Sequence, residues 1–132
     1  MPRRWNPLKV SYGFRTFVLD QFEELGHVVP KPMFGGVGLY HNGLFFGILA
    51  GDVLYLKADD RTRATFERAG SKPFKPYRDR AGTMQYYSVP IGVLESGPEL
   101  AKWAREAVAA AGRVSEQPRG ANQRKRREGT KN

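Results

Sequence analysis

The amino-acid sequence predicts an α+β fold: a two-layer antiparallel sheet with helices on one face, in the order α-β-β-β-α-β-β-α. Two observations carry this reading. The first is a dense apolar run from Met33 to Leu49 broken by Asn42-Gly43, two residues that tolerate the positive φ of a tight type I′ hairpin turn. The second is an ordered alternation, in which helical spacing of apolar residues flanks and interrupts segments of period two.

Element by element, the Pro- and Arg-rich residues 1–9 read as a loose lead. From Ser11, a plausible N-cap, Phe14, Phe17, Val18, Phe22 and Leu25 recur at helical spacing, and Gly26 suits the C′ position. Pro30 and Pro32 bracket Lys31 and suit the approach to an edge strand, since neither donates a ladder hydrogen bond. The hairpin follows. A regular two-residue turn pairs His41 with Leu44, Tyr40 with Phe45, Leu39 with Phe46, Gly38 with Gly47 and Val37 with Ile48.

That register puts Val37, Leu39, Phe46 and Ile48 on one face, expected to be core. The opposite face gathers Gly36, Gly38, Tyr40, Phe45, Gly47 and Leu49, a glycine-paved strip expected to contact a protein partner or a second copy of the chain. Val53–Lys57 makes a third strand. A three-residue loop before it would add Leu54 and Leu56 to the face of Phe46 and Ile48. Asp59 or Asp60 then caps a short helix anchored by Phe66 and stopped by Gly70.

A second hairpin is expected from residues 73–77 and 84–89, with Pro73 and Pro76 at an edge and Tyr86 and Tyr87 on opposite faces, one buried and one exposed. After Gly97-Pro98, a stripe of Leu100, Trp103, Ala104, Ala107, Val108 and Ala111 marks the last helix, which Gly112 should end. The domain is thus expected over 10–112 and a basic, disordered tail over 113–132.

The composition narrows the function. The chain of 132 residues fits one domain, and 0 cysteines exclude a disulfide framework and thiolate chemistry. No segment reads as a signal peptide or membrane span, so a cytoplasmic protein without membrane contact is expected. Of the net charge of +9, seven basic and two acidic residues fall between Arg113 and the C-terminus. Within that tail Arg124, Lys125, Arg126 and Arg127 are candidates for non-specific nucleic-acid binding through phosphate neutralisation. No aromatic interleaves them, so base stacking is not expected from the tail.

Catalytic, cofactor and metal sites are not expected. Gly36-Val37-Gly38 lacks the third glycine of a dinucleotide fingerprint and leads into a strand, and Gly-Lys-Ser/Thr does not occur. His27 and His41 lack ligand spacing, Asp59-Asp60 suits a helix start, and the serines have no nucleophile-elbow context. An undetected enzyme would have to assemble distant groups such as His41, Lys57 and Asp79 in a polar pocket.

Met33-Phe34-Gly35-Gly36, Gly38-Leu39-Tyr40, Leu54-Tyr55-Leu56-Lys57, Pro73-Phe74, Tyr86-Tyr87 and Val89-Pro90 together resemble the N-terminal domain of the TfoX/Sxy family, over about Val10 to Ala111. The resemblance implies a fold like that of type III secretion chaperones. It also implies a role in transcription of bacterial competence genes alongside the cyclic-AMP receptor protein, with no catalytic residues to carry over. Two departures stand out: Lys31-Pro32 occupies a place where the family usually has Arg, and nothing after Gly112 reads as the family's C-terminal helical domain. A stand-alone, non-catalytic adaptor domain is therefore expected, monomeric or homodimeric, with a partner in the transcription machinery. A nucleic-acid accessory protein acting through its tail is the alternative.

Overall fold

The computed structural model describes residues 8–33, 35–75 and 85–116. Nine elements follow in order: α1 (Tyr12–Gln21), β1 (Val29–Met33), β2 (Gly36–His41), β3 (Leu44–Ala50), β4 (Val53–Lys57), α2 (Arg63–Arg68), β5 (Tyr86–Ser88), α3 (Ile91–Leu94) and α4 (Gly97–Glu116). The strands form one antiparallel sheet in the order β1-β2-β3-β4-β5. This is the expected α+β architecture. The proline-bracketed segment is itself the edge strand β1. On the far side, Pro73 bridges Tyr87, and the Phe74 and Ser88 N–H groups donate to the Tyr86 and Lys72 carbonyls, so residues 72–74 run antiparallel along β5 as the expected second hairpin requires, while residues 76–84 of that hairpin lie outside the described residues.

The hairpin begins in the expected register, His41 opposite Leu44 and Tyr40 opposite Phe45, around Asn42 and Gly43 at φ 51° and 78°. It then departs. Past Tyr40 the pairing slips, so that Leu39 faces Gly47, Gly38 faces Ile48 and Val37 faces Leu49. Phe46 is the additional residue of a β-bulge. Glycine makes room for it: a Cβ on Gly47 would lie 3.3 Å from Leu39 and 3.4 Å from Leu56. Phe45 and Phe46 keep the opposite faces that strand alternation gives them, Phe45 against Tyr40 and Tyr86 and Phe46 edge-on to Phe22 at 5.5 Å.

Beyond the bulge the sides exchange. Leu49 lies in the core beside Leu54, and Ile48 on the opposite face beside Phe74 and Tyr86. The loop into β4 also differs from the expected three residues. Gly51 and Asp52, at φ 57° and 58°, form a two-residue turn that pairs Ala50 with Val53. The two departures offset each other, and Leu54 and Leu56 still reach the core.

Helices α1 and α4 cover the face of Val37, Leu39, Phe46, Leu49, Leu54 and Leu56. Ser11 caps α1 as expected, its hydroxyl accepting from the Phe14 N–H at 3.2 Å. Val18 and Phe22 are fully buried, but Phe17 is 41% exposed and leaves the predicted stripe. Ala101, Ala104, Ala107, Ala110 and Ala111 present a narrow face, which brings α4 close to β3 and β4. The α4 N-terminus takes its cap from Ser96, whose Oγ accepts from the Glu99 N–H.

Both expected boundaries shift. Leu8, assigned to the loose lead, packs near Ile48, and its carbonyl accepts from the Gly51 N–H at 3.1 Å. At the other end α4 continues through Gly112 to Glu116, with Arg113 held by Asp59.

Candidate functional site

The six residues expected at a protein contact do not share one face. Gly36, Gly38, Tyr40 and Phe45 lie on the side away from the helices, whereas Gly47 and Leu49 point into the helix-covered core, moved there by the bulge. Gly36 is closed off by the Leu8 and Leu49 carbonyls, and Gly38 by the Met33 and Phe45 side chains. What remains is an aromatic row. Tyr40 stacks on Phe45 at 5.1 Å, Phe45 meets Tyr86 at 5.2 Å, and Lys31 and Lys57 lie over its two ends at 4.8 and 5.2 Å from the Tyr40 and Tyr86 rings. Burial pushes the Tyr86 phenol far above its ordinary value and keeps it neutral, and its hydroxyl donates to the Phe45 carbonyl at 3.2 Å. Burial likewise lowers the Lys57 ammonium, and Asp59 partly opposes the shift.

Several residues with chemical potential turn out to be engaged in the scaffold. His41 Nδ1 lies 2.7 Å from the His27 carbonyl. Asp59 opens the turn ahead of α2: its backbone N–H donates to Thr62 Oγ1 at 3.0 Å, and its Oδ1 accepts from the Arg61 N–H at 3.0 Å. The helix itself starts later than expected, at Arg63. Asp59 Oδ2 receives Arg113 Nε at 2.6 Å, and this hydrogen bond holds the carboxyl below its ordinary range. Asp60 pairs with Arg63 at 2.8 Å. Tyr86 and Tyr87 do face opposite ways, but neither is fully exposed, because Tyr87 stacks on Phe66 at 5.5 Å. Asp79 and the basic run Arg124, Lys125, Arg126 and Arg127 lie outside the described residues.

Between α2 and α4 opens a cleft of about 510 Å³. Phe66 from α2 and Trp103 from α4 form its apolar floor, their rings perpendicular at 5.2 Å. Its rim carries Arg61, Lys102, Arg105 and Glu106. Sequence reasoning placed Phe66 and Trp103 as core residues and gave the rim no role. The available signal was Lys102 and Arg105 flanking Trp103 at the border of the apolar stripe, but the partner helix lies far away in sequence. Among the described residues no group of His, Cys, Asp and Glu side chains could hold a metal ion, and no helix is long and apolar enough to cross a membrane.

The model of the TfoX N-terminal domain matches residues 20–111, well over half of the chain. The chain belongs to the TfoX N-terminal domain family. Among curated proteins none matches it. The family is associated with competence regulation and is not a known enzyme family. In this TfoX N-terminal domain the matched span begins inside α1 and ends on α4, so it takes in the whole sheet and both helices that line the cleft.

Proposed function

We propose that the chain is a non-catalytic protein-interaction domain, an adaptor in bacterial transcriptional regulation of the competence type that works in the cytoplasm. The observation that carries this reading is the family match across 20–111. It is supported by the use of Asp59, Asp60, His41 and Ser11 as structural hydrogen-bonding groups, which leaves them poorly placed as acids, bases or nucleophiles. A domain of this kind acts by presenting surface. The cleft between α2 and α4 and the aromatic row along Tyr40 and Phe45 are the surfaces it offers, the second suited to a homodimer.

Affinity capture from the native host tests the reading, with the full chain and with a chain ending at Glu116, each with and without nuclease. Both chains should retain a common, nuclease-resistant set of proteins. Loss of every captured protein on nuclease treatment would reject the adaptor in favour of nucleic-acid tethering. That second reading is favoured by one observation, the clustering of Arg124, Lys125, Arg126 and Arg127 in a single run.

A further inference from the structure

We infer that the cleft between α2 and α4 is the docking site for an acidic segment of a partner protein, one apolar side chain of which packs against the Trp103 ring where it meets Phe66. This rests on the protein-interaction reading above and specifies where and with what chemistry the contact is made. Charge complementarity commits the site to an acidic occupant. The rim holds three cations, Arg61, Lys102 and Arg105, against one carboxylate, Glu106.

The neighbouring carboxylates are committed elsewhere. Asp59 is taken by Arg113 and Asp60 by Arg63, so among the described residues Arg61 has no ion pair. Among the described residues Arg105 reaches the Glu24 carbonyl alone, at 3.4 Å. Lys102 touches Glu99 at a long 3.5 Å, with both side chains largely in water, a pairing easily exchanged for a better one. A partner carboxylate that approaches Arg61 or Arg105 therefore displaces no strong existing pair, and a planar guanidinium can take it in bidentate fashion.

The floor decides the rest of the ligand. Phe66 is buried and Trp103 half-buried, their rings in edge-to-face contact, so the cleft offers a small apolar floor with one partly exposed ring and not an open stacking platform. A floor of that kind suits a single aliphatic or aromatic side chain better than a run of stacked bases. Glu106 at the rim would repel a continuous phosphate backbone, whereas a peptide can offer it a backbone N–H. The chain's own basic tail is excluded as occupant by like charge, and an acidic partner would be attracted to tail and cleft alike.

The test uses the full chain carrying Trp5→Phe, which leaves Trp103 as the sole indole of the two tryptophans. Its fluorescence is titrated with a short synthetic peptide of Asp and Glu around a central Phe, with the same peptide carrying Lys in place of the acids, and with a single-stranded oligonucleotide. The acidic peptide should give a saturable change that weakens with salt, and the basic peptide none. The double variant Arg61→Glu with Lys102→Glu should weaken acidic-peptide binding about tenfold or more and bind the basic peptide instead. Single Arg61→Ala and Lys102→Ala changes at these exposed positions should each give a smaller loss, with unchanged circular dichroism.

Absence of a saturable response to the acidic peptide overturns the inference. So does undiminished binding by both the double and the single variants, or displacement of the peptide by the oligonucleotide at lower concentration. Nuclease-resistant capture by the chain ending at Glu116, combined with a negative titration, would remove the cleft while leaving the adaptor intact. Failure of capture itself would remove the adaptor.

Discussion

Breaking the Asp59–Arg113 pair should loosen the C-terminal turn of α4 and the start of α2 together. Arg113 Nε donates to Asp59 Oδ2 at 2.6 Å, with the two side chains 25% and 18% exposed, and the Arg61 N–H donates to the other oxygen of the same carboxylate. A hydrogen bond to a charged group contributes about 1.5–3 kcal/mol, and partial solvent access at this edge reduces that to about 1–2 kcal/mol. For a domain of this size each 1 kcal/mol corresponds to roughly 4–8 °C in Tm. Arg113→Ala should therefore melt on the order of 10 °C lower at neutral pH. A double-mutant cycle with Asp59→Asn should return a coupling energy of about 1 kcal/mol or more.

The pH dependence has a fixed sign. The folded carboxyl titrates below its ordinary value of 3.8, so the pair's contribution is fully present above that value and is lost as pH falls through the lower folded pKa. Wild type and Asp59→Asn, compared by urea denaturation from pH 7 downward, should hold a constant gap until pH falls below the ordinary carboxylate value, and the gap should then shrink. A gap that is absent at pH 7, or that does not respond to acid, would refute this account of the helix end.

Three further outcomes are expected. Gly36→Ala should cost more than about 2 kcal/mol in chemical denaturation, because the new Cβ would collide with the Leu49 carbonyl oxygen, whereas Gly13→Ala, on the open side of α1, should stabilise by up to about 1 kcal/mol. Asp52→Ala removes the 2.7 Å bond that its Oδ1 accepts from the Ser11 N–H and leaves alanine at positive φ, so thermal melting should show a loss of about 1–2 kcal/mol. Truncation after Glu116 should abolish sequence-independent DNA binding measured by anisotropy. The intact chain should show a log–log salt slope of about −0.9 × 4, from neutralisation of four phosphates by Arg124, Lys125, Arg126 and Arg127.

How far the fold could be read from the sequence is clearest at the two β-turns. Asn42-Gly43 announces its turn by residue type, and the pairs next to it follow directly. Gly51-Asp52 carries much the same signal, but an assumed regular ladder made a longer loop look necessary to bring Leu54 and Leu56 into the core. The missing fact was the bulge at Phe46. It has no local signature beyond Gly47: Phe45 and Phe46 face opposite layers in a regular strand too, and the bulge shows only past them, where Ile48 and Leu49 exchange faces. Arg113 was hidden for a similar reason: after Gly112 it reads as the first residue of a basic tail, and only the position of Asp59, distant in sequence, makes it an anchor. The cleft shares that difficulty, since its floor and rim come from two segments with nothing in their spacing to connect them.

The strand order β1 to β5 repeats the order of synthesis, and this shapes how the chain reaches its native state. Each of the first four strands pairs with its neighbour in sequence, so the ladder costs little loop-closure entropy and can zip from any of its three hairpins. The helical cover is split, α1 preceding the strands and α4 following them. α4 begins at Gly97 and meets α1 across most of the domain, with Gln21 Nε2 reaching the Leu94 carbonyl at 2.9 Å near that junction. A growing chain thus completes its inner strands while only α1 is at hand to cover the apolar layer of Leu39, Phe46 and Leu56, and the arrival of α4 closes the core.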